Sequence, residues 1–268
     1  MPKAQSNGIE LYYEAYGGEG APLVLISGLG YSSWQWHKMV PFLAEHFQVL
    51  TFDNRGVGQS DKPAGPYTAG VLAADTVGLL DALKIEKAII AGHSMGGFVA
   101  QAIALNFPER VEKLILCSTN FGGPNHAPVT PEAMKVLTDV TSDALTRFRN
   151  GLSVSTAPGW AEKNPEMIEE WVKWRVANPI EPVHYQAQIA IGLGLLPEAA
   201  AFENKLSRLN IPTLILFGAH DKVVPPANAS LLAGKIAGST VVIFPDAGHF
   251  FPIEIAEAAS RAIVEFAK

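Results

Sequence analysis

Cysteine is almost absent from this chain of 268 residues. The single residue, Cys117, excludes an intrachain disulfide, and the apolar run around it predicts a buried small hydrophobe. Long apolar runs are also missing, so the sequence predicts no membrane-spanning helix. Residues 1–8 carry no apolar signal core, and we therefore expect a cytoplasmic protein.

Charge of one sign is not concentrated anywhere in the chain. The net charge is −6, from 20 basic and 26 acidic residues without long blocks of either sign. This distribution argues against nucleic-acid partners and against attraction to anionic membranes. Neither metal-ligand spacing nor a glycine-rich phosphate motif is found, so we expect no metal and no cofactor. The 48% of apolar residues suffices for a sizeable core.

Short, mainly apolar runs alternate with helical patterns along much of the chain. Several of these runs are nearly all apolar, as in parallel strands covered on both faces. We predict strands at residues 9–16, 23–27, 47–52, 87–91, 111–117, 212–217 and 239–244. We predict helices at 41–46, 68–83, 95–107 and 253–267. The alternation stops in between, where proline-interrupted helical patterns dominate. The predicted fold class is therefore α/β, with a mostly parallel sheet in a core domain (1–120 and 207–268) and an inserted helical cap (121–206).

The pentapeptide at positions 92–96, Gly-His-Ser-Met-Gly, lies between a predicted strand and a predicted helix. A Gly-x-Ser-x-Gly turn in that place is the nucleophile elbow of acyl-transfer enzymes, which exposes the serine at a helix N-terminus. Gly92 and Gly96 fit because strand and helix cross too closely there for Cβ atoms. Ordinary glycine-rich turns share the pattern, so Ser94 is a candidate nucleophile that needs partners elsewhere.

A serine nucleophile needs a base and an acid that orients the base. His249 follows the last predicted strand, and its imidazole can take the serine proton and return it to the leaving group. Asp221 follows the preceding strand and can hold the imidazole in the required tautomer. Asp246 is an alternative acid, but it lies only three residues before His249, where a turn residue is expected.

Two backbone N–H groups are candidates for stabilising the oxyanion. Met95 directly follows the candidate nucleophile, and Leu29 lies in the glycine-rich loop 27–30 after the second predicted strand. Such donors contribute typically about 3–4 kcal/mol each in the transition state. The loop taken alone is also compatible with an ordinary glycine-rich turn.

These stretches together resemble the α/β-hydrolase superfamily over residues 8–268. Further similar stretches are Asp-Asn-Arg-Gly-Val-Gly-Gln-Ser at 53–60, Phe-Pro-Glu-Arg-Val at 107–111 and Gly-Ala-His-Asp at 218–221. The resemblance implies an eight-stranded, mostly parallel sheet with the cap inserted after the sixth strand. It also implies a triad of Ser94, Asp221 and His249, with oxyanion amides from Leu29 and Met95. Ser27 departs from the pattern, since many relatives carry histidine there, and this affects how the oxyanion loop is braced.

In the family that the chain resembles, the loop around Asp53 and Arg55 is chiefly structural, and we expect the same here. The cap contributes three candidate pocket residues, Trp160, Trp171 and Trp174, which can equally pack the cap against itself.

The sequence predicts a cofactor-free serine hydrolase of the carboxylesterase type, which acts through an acyl-enzyme on small to medium, mainly apolar esters or lactones. Alternatives are a carbon–carbon bond hydrolase of ring-cleavage diketones and a perhydrolase or haloperoxidase. An alternative of another class is a ligand-sensing or partner-binding protein on a hydrolase scaffold. We expect a small-molecule substrate, with neither nucleic acid nor membrane as partner, and the oligomeric state stays open.

Overall fold

A computed structural model of the chain describes residues 2–139, 141–142 and 144–268. The strands are β1 (Lys3–Ser6), β2 (Ile9–Tyr16), β3 (Pro22–Ile26), β4 (Gln48–Phe52), β5 (Ala88–His93), β6 (Val111–Cys117), β7 (Thr213–Gly218) and β8 (Thr240–Phe244). The helices are α1 (Val40–Leu43), α2 (Ala69–Ala82), α3 (Met95–Asn106), α4 (Pro131–Leu137), α5 (Ala144–Ser155), α6 (Trp160–Lys163), α7 (Pro165–Ala177), α8 (Pro182–Gly194), α9 (Ala227–Ala233), α10 (Phe251–Glu254) and α11 (Ala256–Ala267).

The eight strands form one sheet in the order β1-β2-β4-β3-β5-β6-β7-β8. The pairs β1/β2 and β2/β4 are antiparallel, and every other pair is parallel. The predicted α/β fold class with a mostly parallel, eight-stranded sheet is therefore confirmed. The carboxyl ends of β3, β5, β7 and β8 lie at one edge, which is where open α/β sheets place their functional sites.

The alternation of side chains along each buried strand separates two cores. In β3, Val24 and Ile26 pack with α2 and α3, whereas Leu23 and Leu25 pack on the other face with α1 and α11. Successive side chains of a strand point to opposite faces, so both sets must be apolar when helices cover both sides. Cys117 lies buried in the second core, where burial raises the pKa of its thiol.

The structure differs from the predicted elements at both ends of the chain. β1 was not predicted, because only Ser6 of its four residues is buried and the strand has no apolar pattern. The final helical pattern is divided into α10 and α11 at Ile255, whose φ of −139° and ψ of 45° are not helical.

The residues between β6 and β7 that the structure describes form the helices α4–α8, one short 3-10 helix and loops, without a strand. We call residues 121–206 the insertion. Prolines stand at the first turn of α4, α7 and α8, where the missing N–H costs no helical hydrogen bond. This explains why a proline-interrupted sequence still folds as a series of helices.

Candidate active site

Ser94 makes the turn between β5 and α3. Its backbone has φ 55° and ψ −118°, a conformation that costs a non-glycine residue about 1–3 kcal/mol. The Ser94 N–H donates to the Cys117 carbonyl at 2.9 Å, and its own carbonyl accepts from Thr119 Oγ1 at 2.9 Å. These bonds hold the strained turn, and the side chain is partly exposed at the carboxyl edge of the sheet.

The glycines of the pentapeptide allow the backbone crossing that this turn requires. A Cβ atom on Gly92 would lie 2.1 Å from the carbonyl oxygen of Gly96, and one on Gly96 would lie 2.2 Å from that of Ile26. Both distances are far inside van der Waals contact with backbone atoms, which cannot rotate away. Glycine is therefore required at both positions for α3 to start directly above β3 and β5.

Asp221 and His249 come together from the ends of β7 and β8. His249 Nδ1 lies 2.8 Å from Asp221 Oδ2, and both residues are almost completely buried. The other oxygen, Oδ1, accepts from the N–H groups of Val223 and Val224 at 2.9 and 2.7 Å. This arrangement directs Asp221 Oδ2 at His249 Nδ1, and it suits the imidazole tautomer that carries its proton on Nδ1 and has Nε2 available as a base. Asp246, the alternative acid, is exposed and has no hydrogen bond to His249.

The glycine-rich loop after β3 lies against the Ser94 turn. A Cβ atom on Gly28, the residue before Leu29, would lie 3.3 Å from the Ser94 Cβ. Met95 is the first residue of α3, so its N–H has no acceptor within the helix. Ser27 braces the loop by donating from Oγ to the Ser32 carbonyl at 3.0 Å.

Two buried polar residues that the sequence analysis did not single out connect these loops. Gln35 Oε1 accepts from the Gly28 N–H at 2.8 Å, and Gln35 Nε2 lies 2.7 Å from His93 Nδ1. His93 Nε2 lies 2.7 Å from the backbone oxygen of His249. The available signals were a polar residue between two tryptophans, at 34–36, and a histidine inside the pentapeptide.

Glu254 of α10 connects the His249 loop to the insertion through two hydrogen bonds. Its Oε1 accepts from the Gly248 N–H at 3.0 Å and its Oε2 from the Ala157 N–H of the insertion at 2.7 Å. Burial raises the pKa of Glu254 to about 7, against the opposing effect of these two hydrogen bonds. The insertion also packs tightly here, since a Cβ on Gly248 would lie 2.7 Å from the carbonyl carbon of Thr156.

Residues 21–255 match the sequence profile of the alpha/beta hydrolase fold family. The chain belongs to this family. It is 30% identical to 3-oxoadipate enol-lactonase 2 of Acinetobacter baylyi, over 95% of this chain and 92% of that protein. It is 31% identical to a 2-hydroxy-6-oxononadienedioate/2-hydroxy-6-oxononatrienedioate hydrolase of Pseudomonas putida, over 96% of this chain and 91% of that protein. The crystal structure of the enol-lactonase from Burkholderia xenovorans is similar with a TM-score of 0.81 and 31% identity, over 99% of both chains.

An aromatic cluster in this α/β hydrolase packs the insertion against the carboxyl edge of the sheet, and it consists of Tyr31, Trp34, Phe148, Trp171 and Phe250. The Trp171 ring lies 4.7 Å from that of Phe250, the residue after His249. Phe250 in turn lies 5.3 Å from Tyr31, which follows the glycine-rich loop. Burial raises the pKa of Tyr31 to about 12.

The three predicted pocket tryptophans occupy different places. Trp171 is buried in the aromatic cluster, and Trp160 is partly buried against that cluster. Trp174 is 40% exposed and stacks on Trp34 at 6.3 Å between ring centroids. Their role in lining a pocket stays a prediction.

The insertion also holds the glycine-rich loop by direct hydrogen bonds. Gln188 of α8 accepts from the Gly30 N–H at 2.8 Å and donates to the Arg55 carbonyl at 3.1 Å. Arg175 of α7 donates to the Gly30 carbonyl and lies 4.8 Å over the ring of Tyr31. The position of α7 and α8 thus affects the loop that carries Leu29.

The loop of Asp53 and Arg55 has a structural part in the fold. Asp53 accepts from the N–H groups of Ser33 and Gln59 at 2.7 and 2.8 Å, and Arg55 forms a buried ion pair with Asp75. Burial raises the pKa of Asp53 despite the hydrogen bonds it accepts.

In the described part of the chain, no group of three His, Cys, Asp or Glu side chains is arranged to hold a metal ion. None of the helices formed by the described residues has both the length and the apolar character to cross a bilayer.

Proposed function

We propose that this α/β hydrolase is a serine esterase or lactonase that acts through an acyl-enzyme on small to medium, mainly apolar substrates. The observation that carries the proposal is the strained turn at Ser94 at the same edge of the sheet as the buried Asp221–His249 pair. The residue before Ser94, His93, lies 2.7 Å from the His249 backbone oxygen through its Nε2. In this proposal Ser94, Asp221 and His249 form the catalytic triad, and residues 121–206 form a cap domain over it.

The first half of the reaction forms the acyl-enzyme. Ser94 Oγ attacks the carbonyl carbon while His249 Nε2 takes its proton, and the N–H groups of Leu29 and Met95 stabilise the oxyanion. The tetrahedral intermediate collapses with cleavage of the bond to the leaving alkoxide, which receives the proton from His249. In a lactone the alkoxide stays attached to the acyl group.

The second half releases the acyl group with water. His249 takes a proton from water as the hydroxide adds to the ester carbonyl, and the second intermediate expels Ser94 Oγ, which regains the proton. Asp221 stabilises the imidazolium in both halves. The donors are worth about 3–4 kcal/mol each, provided that the loop at 28–30 keeps its position.

Lactones are favoured among the ester substrates because relatives by sequence and by structure are named enol-lactonases. The buried aromatic side chains near His249 suit an apolar acyl group or ring. Ser118, directly after β6, serves as a control serine for Ser94. It also has a positive φ, of 45°, and its buried hydroxyl has no hydrogen-bond partner among the described residues.

The test is a panel of aryl esters, lactones and vinylogous diketones assayed with the wild type, Ser94→Ala and the control Ser118→Ala. We expect ester or lactone hydrolysis that falls at least about a thousandfold in Ser94→Ala and is retained in Ser118→Ala. Equal rates for the wild type and Ser94→Ala would exclude the nucleophile. Negligible turnover of the whole panel would favour a ligand-sensing or partner-binding role.

A carbon–carbon bond hydrolase is the second candidate, favoured by the 31% identity to the Pseudomonas putida hydrolase. Rapid cleavage of diketones with little ester hydrolysis in the same panel would select it. Peroxide-dependent bromination would instead indicate the perhydrolase alternative.

A further inference from the structure

A continuous line of three hydrogen bonds connects the glycine-rich loop to the His249 loop through the centre of the site. It runs from the Gly28 N–H to Gln35, from Gln35 to His93, and from His93 to the backbone oxygen of His249, with distances of 2.8, 2.7 and 2.7 Å. Gln35 is completely buried, and His93 and His249 are 1% and 4% exposed. We call Gln35 and His93 with these three bonds the relay.

The direction of every bond in the relay is fixed by the backbone groups at its ends. The Gly28 N–H can only donate, so the amide oxygen of Gln35 lies on that side and its NH₂ group faces His93. His93 Nδ1 must then accept, which leaves the ring proton on Nε2. That proton is donated to the His249 carbonyl, which can only accept. One tautomer of neutral His93 therefore satisfies all three bonds.

The surroundings of His93 keep it neutral. The rings of Trp36, Phe250 and Phe251 lie around the imidazole at centroid distances of 6.3, 5.9 and 6.2 Å. The titratable ring of His249 lies closer, at 4.7 Å between centroids. Burial, and next the nearby His249, hold the pKa of His93 well below its ordinary value of 6.5. A protonated Nδ1 would also oppose the NH₂ group of Gln35.

The relay connects the three backbone segments whose relative positions the proposed reaction depends on. Gly28 precedes Leu29, His93 precedes Ser94, and the third bond ends on His249 itself. Each bond is buried, so loss of one partner leaves an unsatisfied polar group that the loops must move to satisfy. A displacement of about 1 Å in such a site costs on the order of a hundredfold in rate.

Resting on the proposed function, we infer that Gln35 and His93 are positioning residues that hold the oxyanion loop, the nucleophile turn and the base loop in one geometry. Neither side chain touches the reacting atoms. The relay acts on kcat, because it aligns groups that matter in the transition state more than in substrate binding.

The first experiment removes the relay without changing the volume of residue 35. Gln35→Met is expected to lower kcat about tenfold to a hundredfold with KM changed less than about threefold. The matched control is Gln101→Met, since Gln101 is also fully buried and donates to the carbonyls of Gly97 and Asn120 at 3.0 and 2.8 Å. Both variants lose stability, but only Gln35→Met loses turnover. Equal losses of kcat in both variants at matched stability would overturn the inference.

The second experiment restores the relay with a proton. In Gln35→Glu one carboxyl oxygen accepts from the Gly28 N–H. The other oxygen can form a hydrogen bond with His93 Nδ1 only while one additional proton is bound, either by the carboxyl or by the imidazole. We therefore expect Gln35→Glu to exceed Gln35→Met in kcat most strongly at about pH 6, and the ratio to fall as that proton is lost. A purely structural role predicts a ratio near one at every pH, and that result would contradict the relay.

The third experiment does not depend on turnover. In a sample with ¹⁵N-labelled histidine, assigned with His93→Gln, His93 should show the neutral Nε2–H tautomer throughout about pH 5–9. Titration to imidazolium in this range, or the opposite tautomer, would overturn the relay. If Ser94→Ala retains full activity, the proposed function fails while this spectrum still decides the relay, so the two failures are distinguishable.

Discussion

Glu254 offers the sharpest link between a buried group and the pH dependence of stability. In Glu254→Gln the side chain keeps its length but can no longer titrate, and one of the N–H groups of Gly248 and Ala157 loses its acceptor. This loss lowers the free energy of unfolding by about 1–3 kcal/mol at every pH. The titration of Glu254 adds a second effect on the free energy of unfolding. This effect depends on pH and is present in the wild type but absent in Glu254→Gln.

The sign follows from where the proton is held. Burial raises the pKa of Glu254 from 4.5 to about 7, so between these values the folded chain keeps a proton that the unfolded chain has released. The resulting stabilisation is fully present below pH 4.5 and is lost as the pH rises through 7. A gap of about 2.5 between the pKa values corresponds to about 3 kcal/mol, an upper value because the carboxyl keeps some solvent contact.

Urea unfolding at a series of pH values measures this effect as the difference between the wild type and Glu254→Gln. We expect the free energy of unfolding of the wild type to fall relative to the variant by up to about 3 kcal/mol from pH 5 to pH 8. Glu257→Gln, an exposed position on α11, serves as the control and should leave the slope unchanged. Parallel curves for the wild type and Glu254→Gln would refute the reasoning.

Three further predictions concern the triad, the insertion and the glycines. Asp221→Asn should keep the fold, as measured by circular dichroism, but lower kcat roughly ten-thousandfold, because an amide NH₂ facing His249 Nδ1 forces the wrong imidazole tautomer. A decrease in kcat of less than tenfold would contradict the role of Asp221. Gln188→Leu should lower kcat about tenfold and the unfolding free energy by about 1–3 kcal/mol, because the Gly30 N–H and Arg55 carbonyl lose their partner; unchanged kinetics would show that the bond does not position the loop. Gly96→Ala should destabilise the protein by more than about 3 kcal/mol in thermal unfolding. Gly151→Ala, where no atom lies within 4 Å of the added Cβ, should instead stabilise it by about 0.5–1 kcal/mol, and the reverse order would refute the steric explanation.

The sheet could be predicted from the sequence where burial on both faces leaves a continuous apolar run. Residues 114–117 and 214–217 are of this kind. The predicted strands that contain them, 111–117 and 212–217, begin and end within one residue of the observed β6 and β7. β1 could not be predicted, because it is short, lies at the sheet edge and has one buried residue, Ser6. Its pairing with β2 depends on contacts that local sequence does not encode.

The geometry of the candidate site could be predicted from the sequence where the local backbone dictates the residue type. The close crossing at the Ser94 turn requires glycines at fixed spacing, and strand ends place Asp221 and His249 in loops at the same edge. Gln35 and His93 could not be paired from sequence, because they are 58 positions apart and neither belongs to a periodic pattern. Trp171 and Trp174 lie on the same helix, yet one is buried and the other exposed, which only the packing of α7 decides.

The aromatic cluster limits how freely this scaffold can be recombined. Phe148 and Trp171 belong to the insertion, whereas Tyr31, Trp34 and Phe250 belong to the core chain. A chimera that receives residues 121–206 from a relative would meet three aromatic side chains shaped for a different surface. We therefore expect an exchanged insertion to pack well only when positions 31, 34 and 250 are exchanged with it, although they lie far from it in the sequence.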